Sequence, residues 1–281
     1  MEKSKKKDDG TGRMKLDTVR KYIAIYWSYF KQYWKTRLIY KTDFTVGAVA
    51  QLVNLGASLA FLTLLFTQVD SINGWSFNEM LFLAGIGGVI MNFHHLFLFN
   101  MFSLEDYIVD GKLDRFLLRP LSPLFQIYAD KVSDNNLSKL IANAALVIYS
   151  GTQIGVNLLS LPNLVYGAAA LISGTLVFAA AYMVFATTGF WTGRSRSAIW
   201  LIFRLSEYRR YPFGIYTLPI QVILVTAIPI AFASFFPATF FLEKTSWQTW
   251  QYISIAAGPV LYSLALKFWT IGLGNYSSTG S

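Results

Sequence analysis

The sequence predicts an all-α membrane protein: six transmembrane helices, an N-terminal amphipathic helix in the membrane interface, and a short helical knob on the cytoplasmic side. Three observations lead there. First, the 281 residues are 54% hydrophobic and only 14% charged, whereas a soluble domain carries about 25% charged residues. Second, the apolar residues fall in long blocks. A helix needs roughly 20 mostly apolar residues to cross a hydrocarbon slab of about 30 Å. Third, 22 of the 24 Lys and Arg residues lie in three segments that six crossings would put on one face.

Taken in order, residues 1–14 are charged and Gly-containing (MEKSKKKDDGTG at the start) and read as a disordered cytoplasmic tail. No apolar segment with a cleavage site occurs in the first forty residues, so no removable leader is expected. Residues 15–43 change pattern. Leu16, Val19, Ile23, Tyr26, Phe30 and Tyr33 recur at spacings of three and four, opposite Asp17, Arg20, Lys21, Ser28, Lys31 and Lys35. This is an amphipathic helix suited to the headgroup layer; the same pattern also fits a surface helix packed on protein.

The six-helix domain covers residues 44–273. Its spans are predicted at Phe44–Thr67, Phe77–Phe102, Leu140–Leu161, Leu164–Trp191, Phe213–Phe236 and Trp247–Ile271. Two loops interrupt it, a polar one at 103–139 and a basic one at 193–212 whose Ala198–Leu205 part is apolar enough to sit in the membrane interface, and residues 274–281 form a short cytoplasmic tail. Lys and Arg number twelve up to Asp43, five in the first loop and five in the second; only Lys244 and Lys267 lie elsewhere. The positive-inside rule then puts both termini and both loops in the cytoplasm. The net charge of +9 thereby points to the inner membrane surface as its partner rather than to nucleic acid.

The spans carry few ionisable groups. Glu79 and Lys267 lie near span ends, within snorkelling reach, and His94 and His95 point about 100° apart on one helix, unsuited to a shared metal. They read as packing histidines. An ion-coupled carrier keeps buried charges where it works, so that class is poorly supported. No cysteine is present, and no H-E-x-x-H, G-x-S-x-G or G-x-x-x-x-G-K-[ST] motif occurs. The chain is therefore not expected to be an enzyme or to bind a metal or cofactor; energy for directed work would come from a partner.

The first loop, LEDYIVDGKLDRFLLRPLSPLFQIYADK (Leu104 to Lys131), could receive that energy. Gly111 can end a preceding helix. A short helix follows with Leu113, Phe116 and Leu117 on one face and Lys112, Asp114 and Arg115 on the other. Pro120 stops it, and Ser122 with Pro123 opens the next helix. Such a knob suits insertion into a groove on another protein; the alternative is a loop helix resting on the membrane.

Asp110-Gly111-x-Leu113-Asp114-x-x-Leu117-Leu118-x-Pro120 resembles the E-x-G-T-L-E-x-L-L-x-x-P-type loop of ABC-2 family permeases, with Lys112 where Thr is common and Pro120 one position early. FRLSEYRRYPFGIY (Phe203 to Tyr216), IPIAFASFFPATFF (Ile228 to Phe241) and the terminal Tyr276-Ser277-Ser278-Thr279-Gly280-Ser281 are similar to a bacterial subgroup of that family. The resemblance covers essentially the whole chain. It implies a type V exporter-like architecture with an elbow helix and a coupling helix, in the bacterial inner membrane. It also implies two partners: an ABC ATPase subunit that uses ATP and Mg, and a second permease, identical or different. Leu113, Phe116 and Leu117 would then be the apolar plug that docks on the ATPase, with Asp114 and Arg115 at its rim. The wider motif adds Asp110, Gly111, Leu118 and Pro120. Similar permeases have broken, re-entrant elements near Pro219, Pro229 and Pro237, which makes Phe232, Phe235, Phe236, Pro237, Phe240 and Phe241 a candidate outer gate; packing against lipid and neighbouring spans fits them equally. The scarcity of charge favours hydrophobic or amphipathic cargo. A non-transporting membrane scaffold is the alternative function.

Overall fold

A computed structural model describes residues 20–33, 35, 41–131 and 135–277. The N-terminal tail, Leu16, Asp17 and Val19 of the amphipathic helix, and Ser278–Ser281 lie outside the described residues. Those described are helical almost throughout; the only β-pairing among them is an isolated bridge between Ile72 and Trp75.

Residues 20–33 form α1. Next come α2 (Lys41–Phe66), α3 (Phe77–Leu98), α4 (Leu104–Val109), α5 (Lys112–Leu117), α6 (Pro123–Asp130) and α7 (Asn135–Gln153). The remainder are α8 (Leu161–Thr187), α9 (Gly189–Thr192), α10 (Arg196–Leu205), α11 (Leu218–Val225), α12 (Phe235–Phe241) and α13 (Gln248–Gly274). Among the described residues, four helical stretches are long and apolar enough to cross a membrane, at Thr45–Phe66, Phe77–Val109, Leu161–Thr192 and Thr245–Gly274; a fifth arises if the bent pair Leu218–Val225 and Ile230–Phe241 counts as one.

The core is the packing of α3 on α7 and of α8 on α13. Small residues set both contacts. A β-carbon at Gly88 would lie 2.0 Å from Asn143 Oδ1, and one at Gly258 would lie 2.1 Å from the Ser173 carbonyl oxygen. The α8–α13 contact also carries a hydrogen-bonded link next to a proline. Pro259 sits inside α13 and can donate no hydrogen bond. Beside it, Ser173 Oγ donates to the Ser254 carbonyl (2.5 Å) and accepts from the Gly258 N–H (3.0 Å). In contrast α2 is loosely held, exposing Val46, Val49, Leu52, Val53, Phe61 and Leu64.

At the start of α3, Ser76 and Glu79 form a capping box. Glu79 pairs with Lys244 at 2.9 Å, and the Lys244 ammonium lies 4.6 Å over the Trp75 ring. These contacts define the Trp75 end of the bundle; the knob defines the other.

Three segments differ from the sequence expectation. The helix predicted at Leu140–Leu161 runs instead over Asn135–Gln153. It closes at Gly155, whose φ of +77° suits glycine, with the Val156 N–H bonded to the Gly151 carbonyl at 2.9 Å. The single span at Phe213–Phe236 is two helices bent by 66°, because Pro229 cannot donate to the preceding turn. The 193–212 stretch is not a loop. It holds α10 and a 3-10 turn over Ser206–Arg210, and it traverses the bundle. Ser195 and Arg196 bond Glu105 beside the knob. Arg209 is buried against Gly87, halfway along α3, where a β-carbon would lie 3.2 Å from Arg209 Cγ. A β-carbon at Gly214 would reach 2.2 Å from Asn73 Nδ2, at the Trp75 end. From there α11 turns inward. Ala233 meets Gly174 and Ile90 in mid-bundle, and α12 returns to the Trp75 end.

Candidate functional site

The knob is built on backbone geometry that only a few residues supply. Gly111 has φ +64°, in the left-handed region that costs other residues about 1–2 kcal/mol. It swings the chain from α4 into α5. After α5, Gln126 Nε2 donates to the carbonyls of Phe116 (2.9 Å) and Leu121 (3.1 Å), which fixes the turn through Pro120. Asn100 Nδ2 donates to the Ile127 carbonyl (2.5 Å) and to Tyr107 Oη (3.0 Å), and Tyr107 Oη donates to Asp130 (2.5 Å). The knob is thus a stiff unit rather than a tethered loop.

It is also wired to the bundle at three places. Glu105 accepts the backbone N–H groups of Ser195 (2.6 Å) and Arg196 (2.7 Å), while the Arg196 guanidinium pairs with Asp106. The Tyr276 hydroxyl, just beyond α13, donates to Asp114 at 3.0 Å. From α1, the Tyr22 hydroxyl accepts from the Ser122 N–H (3.2 Å), with the Tyr22 and Phe125 rings 4.7 Å apart. Burial pushes the neighbouring Tyr26 hydroxyl up to about 12, so it stays neutral beside Phe125. Sequence reasoning missed Glu105, Gln126 and Tyr276; their polar types were visible, but their partners lie far away in the chain.

Within the predicted plug, Leu113 and Phe116 are buried against their own chain, the Phe116 ring 5.4 Å from Tyr107. Leu117 and Leu118 are exposed, Leu118 to 86%, and Arg115, Arg119 and Pro120 are exposed beside them. The expected grouping of Leu113, Phe116 and Leu117 as one free face is corrected: a six-residue helix is too short to hold itself, so its apolar face anchors inward. Asp110 pairs with Lys112 at 2.5 Å, and Asp114 is tied to Tyr276.

At the opposite end, the aromatic residues split into two groups. Phe232, Phe235 and Phe236 pack with Trp75, Phe213, Trp247 and Trp250; the Phe236 and Trp250 rings stack at 5.5 Å. Phe240 stacks on Tyr166 at 3.6 Å, and Phe241 meets Phe82 and Tyr166. Pro237 is buried between the groups. In mid-bundle, His95 Nε2 lies 3.2 Å from the Tyr182 hydroxyl, and His94 packs on Phe178 and Tyr182.

This geometry defines a multi-pass helical membrane protein with a braced knob at one end and a bent aromatic hairpin at the other. The chain belongs to the ABC-2 family of transporters: the family model described as ABC-2 family transporter protein matches residues 52–280. It is therefore the membrane permease component of an ABC transporter, whose ATPase is a partner subunit. No curated protein and no solved structure matches the chain.

Proposed function

We propose that the chain is the permease of an ATP-driven exporter of a hydrophobic or amphipathic compound, working in the bacterial inner membrane beside a second permease, with both termini cytoplasmic. Six crossings fit the contacts: α2, α3, α7, α8, the segment from Arg196 to Ile215, and α13. The hairpin of α11 and α12 then enters and leaves from the Trp75 side, which is the outer face. In this reading the knob is the coupling helix, α1 is the elbow, and the exposed apolar face of α2 meets lipid or the second permease.

The observation that carries the proposal is the double hydrogen bond from Ser195 and Arg196 to Glu105. It makes the knob and the start of the fifth crossing one mechanical piece. Movement of an ATPase against the exposed tip, Leu117, Leu118 and Arg115, tilts that crossing and opens the path. The buried residues Leu113 and Phe116 transmit the push, Gly111 and Pro120 set the angle, and Asp110 and Asp114 hold the knob's sides. At the far end, the Phe232, Phe235 and Phe236 group with Pro237 seals the path, while Phe240 and Phe241 hinge on Tyr166.

The test is co-purification and coupled transport. Leu117→Asp with Leu118→Asp removes an exposed apolar tip without touching the buried face. We expect membrane insertion to persist while recovery of the ATPase with the chain falls about tenfold, the loss of roughly one to two apolar contacts. Unchanged ATPase recovery and transport would overturn the coupling role.

A further inference from the structure

The fifth crossing carries charge where hydrocarbon-facing helices carry none. Glu207, Arg209 and Arg210 lie in its 3-10 turn. Arg209 meets Gly87 halfway along α3, and Arg210 Nη1 donates to Ser58 Oγ of α2 at 2.9 Å. Lys139 of α7 lies within electrostatic reach of all three. The group therefore sits in mid-bundle, with three cations against one carboxylate. Glu207 pairs with Arg210 at 2.5 Å and with Arg209 at 3.3 Å, which leaves a positive excess.

The cluster is not sealed inside. The side chains of Arg210 and Glu207 are 34% and 40% exposed, whereas that of Arg209 is 7% exposed. Arg209 Nη1 donates to the Ser206 carbonyl at 2.9 Å, but its Nε has no hydrogen-bond partner among the described residues. An ionised group at mid-bilayer facing lipid costs at least about 2.5–3.5 kcal/mol. The open face of this cluster must therefore look onto water or protein, as the wall of a transport path does.

We propose that Lys139, Arg209 and Arg210, with Glu207 as their internal counter-ion, form a station that binds the anionic head, phosphate or carboxylate, of an amphiphile in transit. This deepens the export reading and rests on it. The chemistry fits. Guanidinium forks match the planar oxygens of carboxylate and phosphate and hold them by paired charge-assisted hydrogen bonds. Arg209 is pre-positioned by its bond to Ser206, and Glu207 keeps the empty station from carrying three uncompensated charges. An arriving anion can displace Glu207 from Arg210 and neutralise the excess; a cationic head adds to it and is rejected.

The test is equilibrium binding to the chain, purified with its partners in phosphatidylcholine nanodiscs, with empty discs subtracted. Dodecyl phosphate is the probe, and dodecyltrimethylammonium and inorganic phosphate are the competitors. We expect saturable binding of dodecyl phosphate that dodecyltrimethylammonium does not displace. Lys139→Gln with Arg210→Gln should weaken it about tenfold, the loss of charge-assisted contacts. Arg210→Lys, which keeps the charge but loses the fork, should weaken it less than the Gln pair does, and Glu207→Gln should tighten it. Discs in which phosphatidylglycerol replaces phosphatidylcholine identify the source of the anion: competition that depends on Lys139 and Arg210 assigns a membrane lipid, and its absence assigns a free amphiphile. Equal binding of the cationic amphiphile, or affinity unmoved by both Gln variants, would overturn the proposal. A chain that purifies with no ATPase would instead count against the export reading, while the binding measurement still stands.

Discussion

Gly258 shows how little room the bundle leaves at single residues. Its α-carbon faces the Ser173 backbone, and a methyl group there would meet the carbonyl oxygen at 2.1 Å, well inside van der Waals contact. That oxygen belongs to a packed helix and cannot swing aside, so α8 and α13 must part. Over-packing of this kind costs about 1–3 kcal/mol. We expect Gly258→Ala to lower the midpoint of thermal unfolding in detergent by several degrees, and Gly274→Ala, at an open position at the C-terminal end of the same helix, to leave it unchanged. Equal midpoints for the two variants would show that the close approach is not what holds the pair. Ser173 adds a second layer to the same contact, because its hydroxyl serves both the Gly258 N–H and the Ser254 carbonyl beside Pro259.

Among elements, α4 and α10 are joined by two carboxylates, Glu105 on the backbone N–H groups of Ser195 and Arg196 and Asp106 on the Arg196 guanidinium. Glu105→Ala removes the acceptor for two backbone N–H groups at the start of α10, and leaving such donors unserved costs about 1–3 kcal/mol. The expected readout is a lower ratio of transport to ATP hydrolysis, with the ATPase still recovered alongside the chain; an unaltered ratio would count against the link. This level also shows what could be read in advance. Gly111 and Pro120 were legible because each backbone demand has its own residue type. The outward direction of α5 was not, since apolar residues at helical spacing do not tell whether they face the same chain or another. The end of α7 was blurred because Ile154, Val156, Leu158 and Leu159 carry apolar character straight through the turn. The basic stretch from Gly193 to Pro212 has the sequence character of a cytoplasmic or interfacial loop, because Lys and Arg concentrate in such loops. Here part of that charge is buried in mid-bundle, and only the contacts to Gly87 and Asn73 reveal it.

For the whole molecule, the proposed path of the chain turns on where the fifth crossing lies. The protein has no cysteine, so single introduced thiols report sidedness cleanly. Thr217 is exposed and follows Gly214 at the Trp75 end. We expect Thr217→Cys to react with an impermeant maleimide added to intact cells, as Ser246→Cys should, and Arg194→Cys to react only after the membrane is opened. Labelling of Thr217→Cys only in opened cells would restore the crossing at Phe213–Phe236. The two ties of the knob bear on the molecule as a whole too. Glu105 holds the start of α10 and Asp114 holds Tyr276 just beyond α13, so in the proposed coupling a push on the knob would reach two helices at once. In the proposed coupling α2 stands apart from both ties: it meets the fifth crossing through Arg210 and Ser58 instead, and leaves much of its apolar face open.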